Sequence, residues 1–234
     1  MRRSIAARLA VLVLAVAAGT CSAQNWVEGK NYFRITPPQP TSVPAGKVEV
    51  MEVFSYGCPA CNAFQGAIKQ LKAALPPNAQ MVYLPASFIP AEDWPMFQRA
   101  YFTAQALGIA EKTHDAMFNA IWVTGELAAI DPVTHRIKSS IPTIEDAAKF
   151  YARTAGVKAE TFLATAKSFG VEAKMRMADA EISAADVTGT PTIIVNGKYR
   201  LQIQTTGGSL DQMIQCVKYL VALESAPAAA PAKK

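Results

Sequence analysis

Two cysteines separated by two residues, Cys58 and Cys61, are the side chains in this sequence best suited to chemistry. They follow an apolar stretch rich in β-branched residues, Val48–Phe54, and Pro59 suits the first turn of a helix. A strand that passes directly into a helix places Cys58 at the helix N-terminus. Unpaired N–H groups and the helix dipole there favour a thiolate over a thiol. The pattern predicts thiol–disulfide exchange with Cys58 as the attacking group.

Cys61 is expected one helical turn further in, where it is less accessible and can attack a mixed disulfide held at Cys58. A structural zinc site is a weaker interpretation, because it needs four ligands. Only Cys216, His114 and His135 remain, at no diagnostic spacing. A purely structural disulfide would close a very short loop and stabilise the fold little. The redox interpretation is therefore preferred.

Glu52 interrupts the apolar strand six residues before Cys58. By period-2 alternation it shares a face with Val50 and Phe54, where a buried acid is unfavourable unless it has a function or a partner. It could relay a proton to or from Cys61. The alternative is that Glu52 reaches solvent at a sheet edge, and the sequence leaves both possibilities open.

Residues 1–23 are predicted to be a secretory signal peptide. Arg2, Arg3 and Arg8 precede an apolar run, and small residues around Cys21 suit a cleavage site. Lipid modification of Cys21 is the alternative. Loss of three arginines lowers Lys+Arg from 23 to 20 against 18 Asp+Glu, a formal charge of +2. This small excess does not favour nucleic-acid binding.

The three cysteines that follow the signal are too few for a disulfide scaffold, although an exported protein meets an oxidising compartment. The remaining length suits one domain, or one domain with an insertion. Cys216 lies on the apolar face of the predicted last helix, so we expect it to be buried and unreactive.

The predicted elements run β-α-β, helical block, β-hairpin, helix. The first two strands flank the helix that begins near Cys58, which implies a parallel pair with a right-handed crossover. The Asn196-Gly197 pair predicts a tight hairpin turn. Six positions are candidate N-caps or capping-box residues of later helices: Asp93, Thr113, Thr143 with Asp146, and Ser209 with Gln212. The predicted strands are 32–35, 48–54, 80–84, 192–195 and 199–203.

This order predicts an α/β protein, a thioredoxin-like fold with an inserted all-helical domain. Residues 24–92 and 186–225 form the discontinuous thioredoxin-like domain in this prediction. Residues 93–185 form the helical insertion. Residues 226–234, which follow Ser225, consist only of Ala, Pro and Lys, and we expect them to form a disordered tail.

Three segments together resemble the DsbA family of bacterial periplasmic disulfide oxidoreductases. They are Glu52–Cys61, Val187–Pro191 and Val195–Tyr199. The helical block between the two halves of the fold is also similar, so the resemblance covers nearly the whole chain after the signal. DsbA is itself a standard example of a low-pKa cysteine at a helix terminus.

The resemblance implies a role for each candidate site residue. Cys58 would be the exposed nucleophile and Cys61 the resolving cysteine. Pro191 would be cis and lie beside the pair, with Thr190 before it, whereas the sequence alone would allow an ordinary proline at the start of a strand. Glu52 matches the buried acid of the family.

The resemblance also implies partners and a location. The substrates would be reduced, newly exported polypeptides in the periplasm, and a membrane quinone-linked reoxidase similar to DsbB would restore the disulfide. No bound cofactor and no nucleic acid are expected, and the chain is expected to be a monomer.

The sequence departs from the family pattern at two positions that touch the redox centre. Ala60 stands where the family often has His, and Thr190 where its best-known members often have Val. These differences leave the strength of oxidation open. The leading hypothesis is a dithiol oxidase. The alternatives are a disulfide reductase or isomerase, and a peptide-binding chaperone with a structural Cys-x-x-Cys pair.

Overall fold

The computed structural model describes residues 25–225. The predicted signal peptide, Cys21 and the predicted disordered tail lie outside the described residues. The strands are β1 Phe33–Arg34, β2 Val48–Phe54, β3 Ala79–Pro85, β4 Thr192–Val195 and β5 Tyr199–Leu201. The helices are α1 Pro59–Ala74, α2 Trp94–Ala106, α3 Ala110–Trp122, α4 Ile144–Ala155, α5 Ala159–Ala166, α6 Phe169–Ala184 and α7 Leu210–Ser225.

The five strands form one mixed sheet in the order β1-β5-β4-β2-β3. β2 pairs with β3 in parallel and with β4 in antiparallel, so the predicted β-α-β unit is confirmed. β2 is therefore an internal strand, and all seven of its residues are buried. Its run of Val, Met and Phe suits burial on both faces.

Alternating side chains of the sheet contribute to two hydrophobic clusters. Val50 and Ile193 belong to the first, which packs against the apolar faces of α1 and α7. Met51 and Ile194 belong to the second, which contains most of the buried side chains of α2 to α6. The helices that follow β3 therefore complete the core on one side of the sheet.

The capping predictions differ in outcome. Thr143 and Asp146 form the predicted capping box at the start of α4. The prediction for Thr113 is wrong, because α3 begins three residues earlier and the Thr113 hydroxyl donates to the carbonyl of Ile109, 2.7 Å away. Asp93 precedes α2 as predicted, but its backbone is left-handed (φ 65°) and its side chain makes no capping hydrogen bond.

The β4–β5 hairpin turns at Asn196 and Gly197 as predicted, with positive φ at both residues (53° and 64°). A Cβ on Gly197 would collide with the carbonyl oxygen of Gln39, so glycine is required here for close approach as well as for backbone conformation. β5 ends at Leu201, two residues before the predicted end.

In the last helix, Gln212 N donates to Ser209 Oγ at 3.2 Å, as the sequence predicts. Within residues 25–225, no helix has both the length and the apolar character needed to cross a membrane.

Burial of Cys216 on α7 leads to a first prediction. Its side chain is fully buried, and burial raises the thiol pKa to about 12. Cys216 should therefore resist maleimide in the native protein at pH 7 and react quickly in denaturant. Cys216→Ala should lower the free energy of unfolding by roughly 1 kcal/mol, because one buried heavy atom is lost. It should leave thiol–disulfide exchange unchanged. Fast native labelling at Cys216, detected by mass spectrometry, would contradict this.

Candidate active site

Cys58 occupies the N-cap of α1, after the short turn that connects the end of β2 to the helix. Its backbone is extended (φ −86°, ψ 117°), and Pro59 is the first helical residue, as predicted. The Cys58 N–H donates to the carbonyl of Ser55 at 3.1 Å, and the Cys58 carbonyl accepts from Asn62 N at 3.1 Å. Both backbone groups of Cys58 are therefore satisfied, and its sulfur is held over the first turn of the helix. The expectation of an exposed nucleophile is wrong for the dithiol form, because Cys58 is packed in the core and is only 4% exposed.

The Cys58 sulfur accepts a hydrogen bond from the backbone N–H of Cys61 at 3.2 Å. Hydrogen bonding from the Cys61 thiol is the largest influence on the Cys58 thiol and lowers its pKa, and the Thr190 side chain and the N–H groups of Cys61 and Ala60 act in the same direction. Burial opposes them, and the pKa falls to about 6. Cys58 is therefore largely a thiolate at pH 7.

Cys61 behaves in the opposite way. Its side chain is fully buried, and burial, followed by donation of its thiol proton to Cys58, raises its pKa well above the usual range. Both cysteines are free thiols in this structure, which describes the dithiol form. The predicted asymmetry between an ionised Cys58 and a protonated Cys61 is therefore present in the geometry.

Thr190 and Pro191 meet the thiols from a distant part of the chain. The Thr190–Pro191 bond is cis, as predicted, and the Thr190 carbonyl oxygen lies 3.6 Å from the Cys58 sulfur. The Thr190 hydroxyl is buried and lowers the pKa of both thiols, although it makes no hydrogen bond of good geometry in the dithiol form. A bond from Thr192 Oγ1 to Gly189 O, 2.7 Å long, braces the loop.

Glu52 lies inside β2 and is completely buried. Neither carboxylate oxygen has a hydrogen-bond partner in the described part of the chain. Burial first, and the negative charge of Cys58 second, raise the pKa of Glu52 well above its usual range. The alternative that Glu52 reaches solvent at a sheet edge is wrong, because β2 lies between β3 and β4.

Two further residues hold the loop before Cys58 and are not recognisable from local sequence pattern. Trp122 Nε1 donates to the Tyr56 carbonyl at 2.8 Å, and the Tyr56 hydroxyl lies 3.0 Å from His114 Nδ1. Burial lowers the His114 pKa to about 4, so the ring is neutral. Only the clustering of aromatic residues after β2 and in α3 hints at this packing. Across residues 25–225, no three His, Cys, Asp or Glu side chains are grouped to bind a metal.

Comparison with known proteins identifies the family. Residues 49–215 match a family model described as the DSBA-like thioredoxin domain. The thiol:disulfide interchange protein DsbA of Pseudomonas aeruginosa is 35% identical over 206 residues, covering 88% of this chain and 89% of that protein. This chain belongs to the DsbA family.

Two solved DsbA structures agree with this membership. A crystal structure of a Pseudomonas aeruginosa DsbA variant matches with a TM-score of 0.72 at 35% identity, covering 86% of this chain and 98% of that one. DsbA from Xylella fastidiosa matches with a TM-score of 0.72 at 33% identity, covering 85% and 97%. The predicted α/β, thioredoxin-like fold with a helical insertion is confirmed, and the chain is a thiol:disulfide oxidoreductase.

In this DsbA family member, the two thiol pKa values predict asymmetric alkylation of the reduced protein. Iodoacetamide should modify Cys58 at a rate that follows its thiolate fraction, half-maximal near pH 6 and level above about pH 7. Cys61 should stay unmodified on that timescale, because its pKa is raised. Peptide mapping by mass spectrometry identifies the modified residue. Equal rates at both cysteines would overturn the assignment.

The burial of Glu52 predicts a pH-dependent stabilisation on substitution. Near pH 4 the carboxyl is protonated in the folded state and largely protonated in the unfolded state. As pH rises, the unfolded state ionises first, because the folded pKa is raised, so the acid lowers stability progressively. Glu52→Leu should therefore raise the free energy of unfolding at pH 7 by about 1–3 kcal/mol, with a smaller increase at pH 4.

Glu49 provides the matched control within the same strand. It is also buried, and its Oε1 has no hydrogen-bond partner in the described part of the chain, but its Oε2 accepts hydrogen bonds from the backbone and hydroxyl of Ser42 at 2.7 and 2.6 Å. Glu49→Leu should therefore destabilise the protein. Urea unfolding at pH 4 and 7 measures both variants. A Glu52→Leu effect that is destabilising or independent of pH would contradict the prediction.

Proposed function

We propose that this DsbA family member is a dithiol oxidase that introduces disulfide bonds into reduced, exported polypeptides. The observation that carries the proposal is the lowered pKa of Cys58 beside the raised pKa of Cys61. A stabilised Cys58 thiolate favours the reduced enzyme, so the Cys58–Cys61 disulfide gains electrons readily. An enzyme that is easily reduced oxidises its substrates.

The reaction begins on the oxidised enzyme. A substrate thiolate attacks the Cys58 sulfur, the Cys58–Cys61 bond breaks, and a mixed disulfide forms. Cys61 leaves as a thiolate and takes up one proton. A second substrate thiolate then attacks the substrate sulfur of the mixed disulfide and releases Cys58 as a thiolate. The substrate gains one disulfide, and its two electrons remain on the enzyme dithiol.

Glu52 is the proposed proton source for Cys61 in this sequence. Its raised pKa favours the protonated form, and neither of its oxygens is committed to another group in the described part of the chain. A buried acid that holds its proton can serve as a general acid for a neighbouring thiolate. The same carboxyl accepts the proton when Cys61 attacks a mixed disulfide in the reverse direction.

Thr190 and Pro191 are proposed to hold the substrate beside Cys58. The Thr190 backbone lies next to the Cys58 sulfur, where it can pair with an extended substrate segment as an added strand does. Pro191 has no N–H and so offers no donor that competes for the thiolate.

Family membership supports the proposed cellular setting. Substrates are reduced polypeptides in the periplasm, reached after cleavage of a signal peptide over residues 1–23. A membrane quinone-linked reoxidase similar to DsbB restores the disulfide. The enzyme acts as a monomer, without bound cofactor or nucleic acid. We propose residues 24–92 and 186–225 as the thioredoxin-like domain and 93–185 as the helical insertion.

A refolding assay tests the function. The oxidised enzyme should form disulfides in a reduced, unfolded secretory protein faster than oxidised glutathione alone, and Cys58→Ser should abolish this. Cys61→Ser cannot form the Cys58–Cys61 disulfide and should also fail to oxidise the substrate. With a substrate that already contains a disulfide, it should accumulate mixed disulfides at Cys58, because the resolving thiol is missing. Cys216→Ala is the cysteine control and should match wild type. Reduction of insulin disulfides without any oxidation of the reduced substrate would instead indicate a reductase.

Ala60 allows the redox strength to be shifted in a known direction. A histidine at this position could donate a hydrogen bond to the Cys58 thiolate or place a positive charge near it, whereas Ala60 can contribute only its backbone N–H. Ala60→His should therefore lower the Cys58 pKa and make the disulfide more oxidising. Thiolate absorbance against pH and equilibration with glutathione measure the two quantities. An unchanged or raised pKa would contradict the prediction.

A further inference from the structure

A cavity of about 310 Å³ adjoins the loop that carries the nucleophile. We call it the flanking pocket. Its wall includes Gly57, the residue directly before Cys58, and most of the rest is apolar. The apolar part comes from the end of α3 and the loop after it, and includes Ile121, Trp122, Val123 and Ala129. The mechanism described above uses none of these side chains.

The pocket is rigidly connected to the redox centre. The indole of Trp122 donates to the Tyr56 carbonyl at 2.8 Å, which fixes one wall to the loop before Cys58. A Cβ on Gly57 would lie 2.8 Å from the Trp94 ring nitrogen, so this close packing requires glycine. The pocket therefore exists before a substrate arrives.

The loop that forms the outer wall is also held in place. Asp131 Oδ1 accepts from the N–H groups of Val133 and Thr134 at 2.9 and 2.7 Å. Ile130 and Ile137 form an antiparallel bridge across the base of this loop. These contacts are local, so substitutions of exposed side chains on the loop should leave its shape intact.

The position of the pocket determines what can reach it. Consecutive Cα atoms are about 3.8 Å apart, and an extended chain advances about 3.3–3.6 Å per residue. A polypeptide joined to Cys58 through one of its cysteines can therefore reach the wall at Gly57 with the residues one or two positions away. Val123 leaves 76% of its surface exposed, and covering it would remove apolar surface from water.

The carboxylates of Glu92 and Asp131 belong to the pocket lining, and no Lys or Arg side chain does. Lys138 Nζ donates to the carbonyl of the lining residue Gly125 at 3.2 Å, so one ammonium group offsets one of these two carboxylates. The remaining negative charge disfavours acidic occupants. Hydrogen bonds from Thr134 and Val133 lower the Asp131 pKa, so this group carries a negative charge at pH 7. His135 is the third titratable group of the lining.

We infer that the flanking pocket is a specificity subsite that takes an apolar side chain next to the reacting cysteine of a substrate polypeptide and rejects acidic ones. This inference rests on the proposed attachment of substrates to Cys58. It predicts that the enzyme ranks substrate cysteines by their neighbours along the chain.

The test uses two-cysteine peptides that differ only at one or two positions on either side of the first cysteine, where Leu, Phe or Asp is placed. The second-order rate constant for reduction of the Cys58–Cys61 disulfide by each peptide is measured by stopped flow. At one of the flanking positions, Leu or Phe should react about tenfold faster than Asp.

Val123→Lys is the informative variant, because it adds a positive charge to the pocket at an exposed position. It should raise the rate with the Asp peptide relative to the Leu peptide by roughly two- to fivefold. Val133→Lys is the matched control. Val133 is 84% exposed on the same loop but does not line the pocket, so this variant should keep the wild-type preference.

Oxidation of dithiothreitol separates the inference from the function on which it rests, because this small dithiol has no flanking residues. The rate of dithiothreitol oxidation should be the same in wild type and both variants. Failure to oxidise dithiothreitol would refute the proposed function itself. Normal dithiothreitol oxidation with equal rates for all peptides, or with equal shifts from Val123→Lys and Val133→Lys, would refute the subsite alone.

Discussion

The chemistry of this protein depends on one hydrogen-bonded pair, the Cys58 sulfur and the Cys61 thiol above the first turn of α1. The two sulfurs share one proton in their hydrogen bond. Any interaction that keeps this proton on Cys61 therefore favours the thiolate at Cys58. Burial alone would raise the pKa of both. The helix breaks this symmetry, because its first free N–H groups point at Cys58 and not at Cys61. The low pKa of one cysteine and the high pKa of the other are therefore a single property of the pair.

The rest of the fold keeps this pair away from water without neutralising it. β2 is buried on both faces, and the turn that follows it is fixed by Trp122 through the Tyr56 carbonyl. A low-dielectric environment strengthens the hydrogen bonds to the thiolate, but it also makes any second charge expensive. Burial and the charge of Cys58 both favour the protonated form of Glu52, which meets this constraint. The site therefore favours a single negative charge, at Cys58, with protons on Cys61 and Glu52.

Features of the sequence that act over a few residues were sufficient to predict much of the fold. The strand–Cys58–Pro59 junction, the Thr143 capping box and the Asn196-Gly197 turn each have a local physical cause, and each is present. The prediction of Thr113 as an N-cap was wrong because a threonine hydroxyl has two local options. It can cap the start of a helix, or it can donate to a backbone carbonyl one turn earlier inside a helix, as Thr113 does to Ile109. The burial of Glu52 could not be decided locally, because it depends on which strand pairs with the other side of β2. The Trp122 contact likewise requires the packing of α3 against a loop 66 positions earlier.

The contact between Cys58 and Thr190 joins residues 132 positions apart in the chain. Between them lie β3 and the six helices α1 to α6, and β4 pairs with β2 only after all of these. Closing so large a loop carries an entropic penalty and is slow compared with forming the local turn of α1. A chain that folds from its N-terminus therefore has its Cys-x-x-Cys turn early, but lacks the opposing loop until its last fifth is available. Because the Thr190 side chain is one of the groups that lower the Cys58 pKa, part of the stabilisation of the thiolate depends on the completed fold.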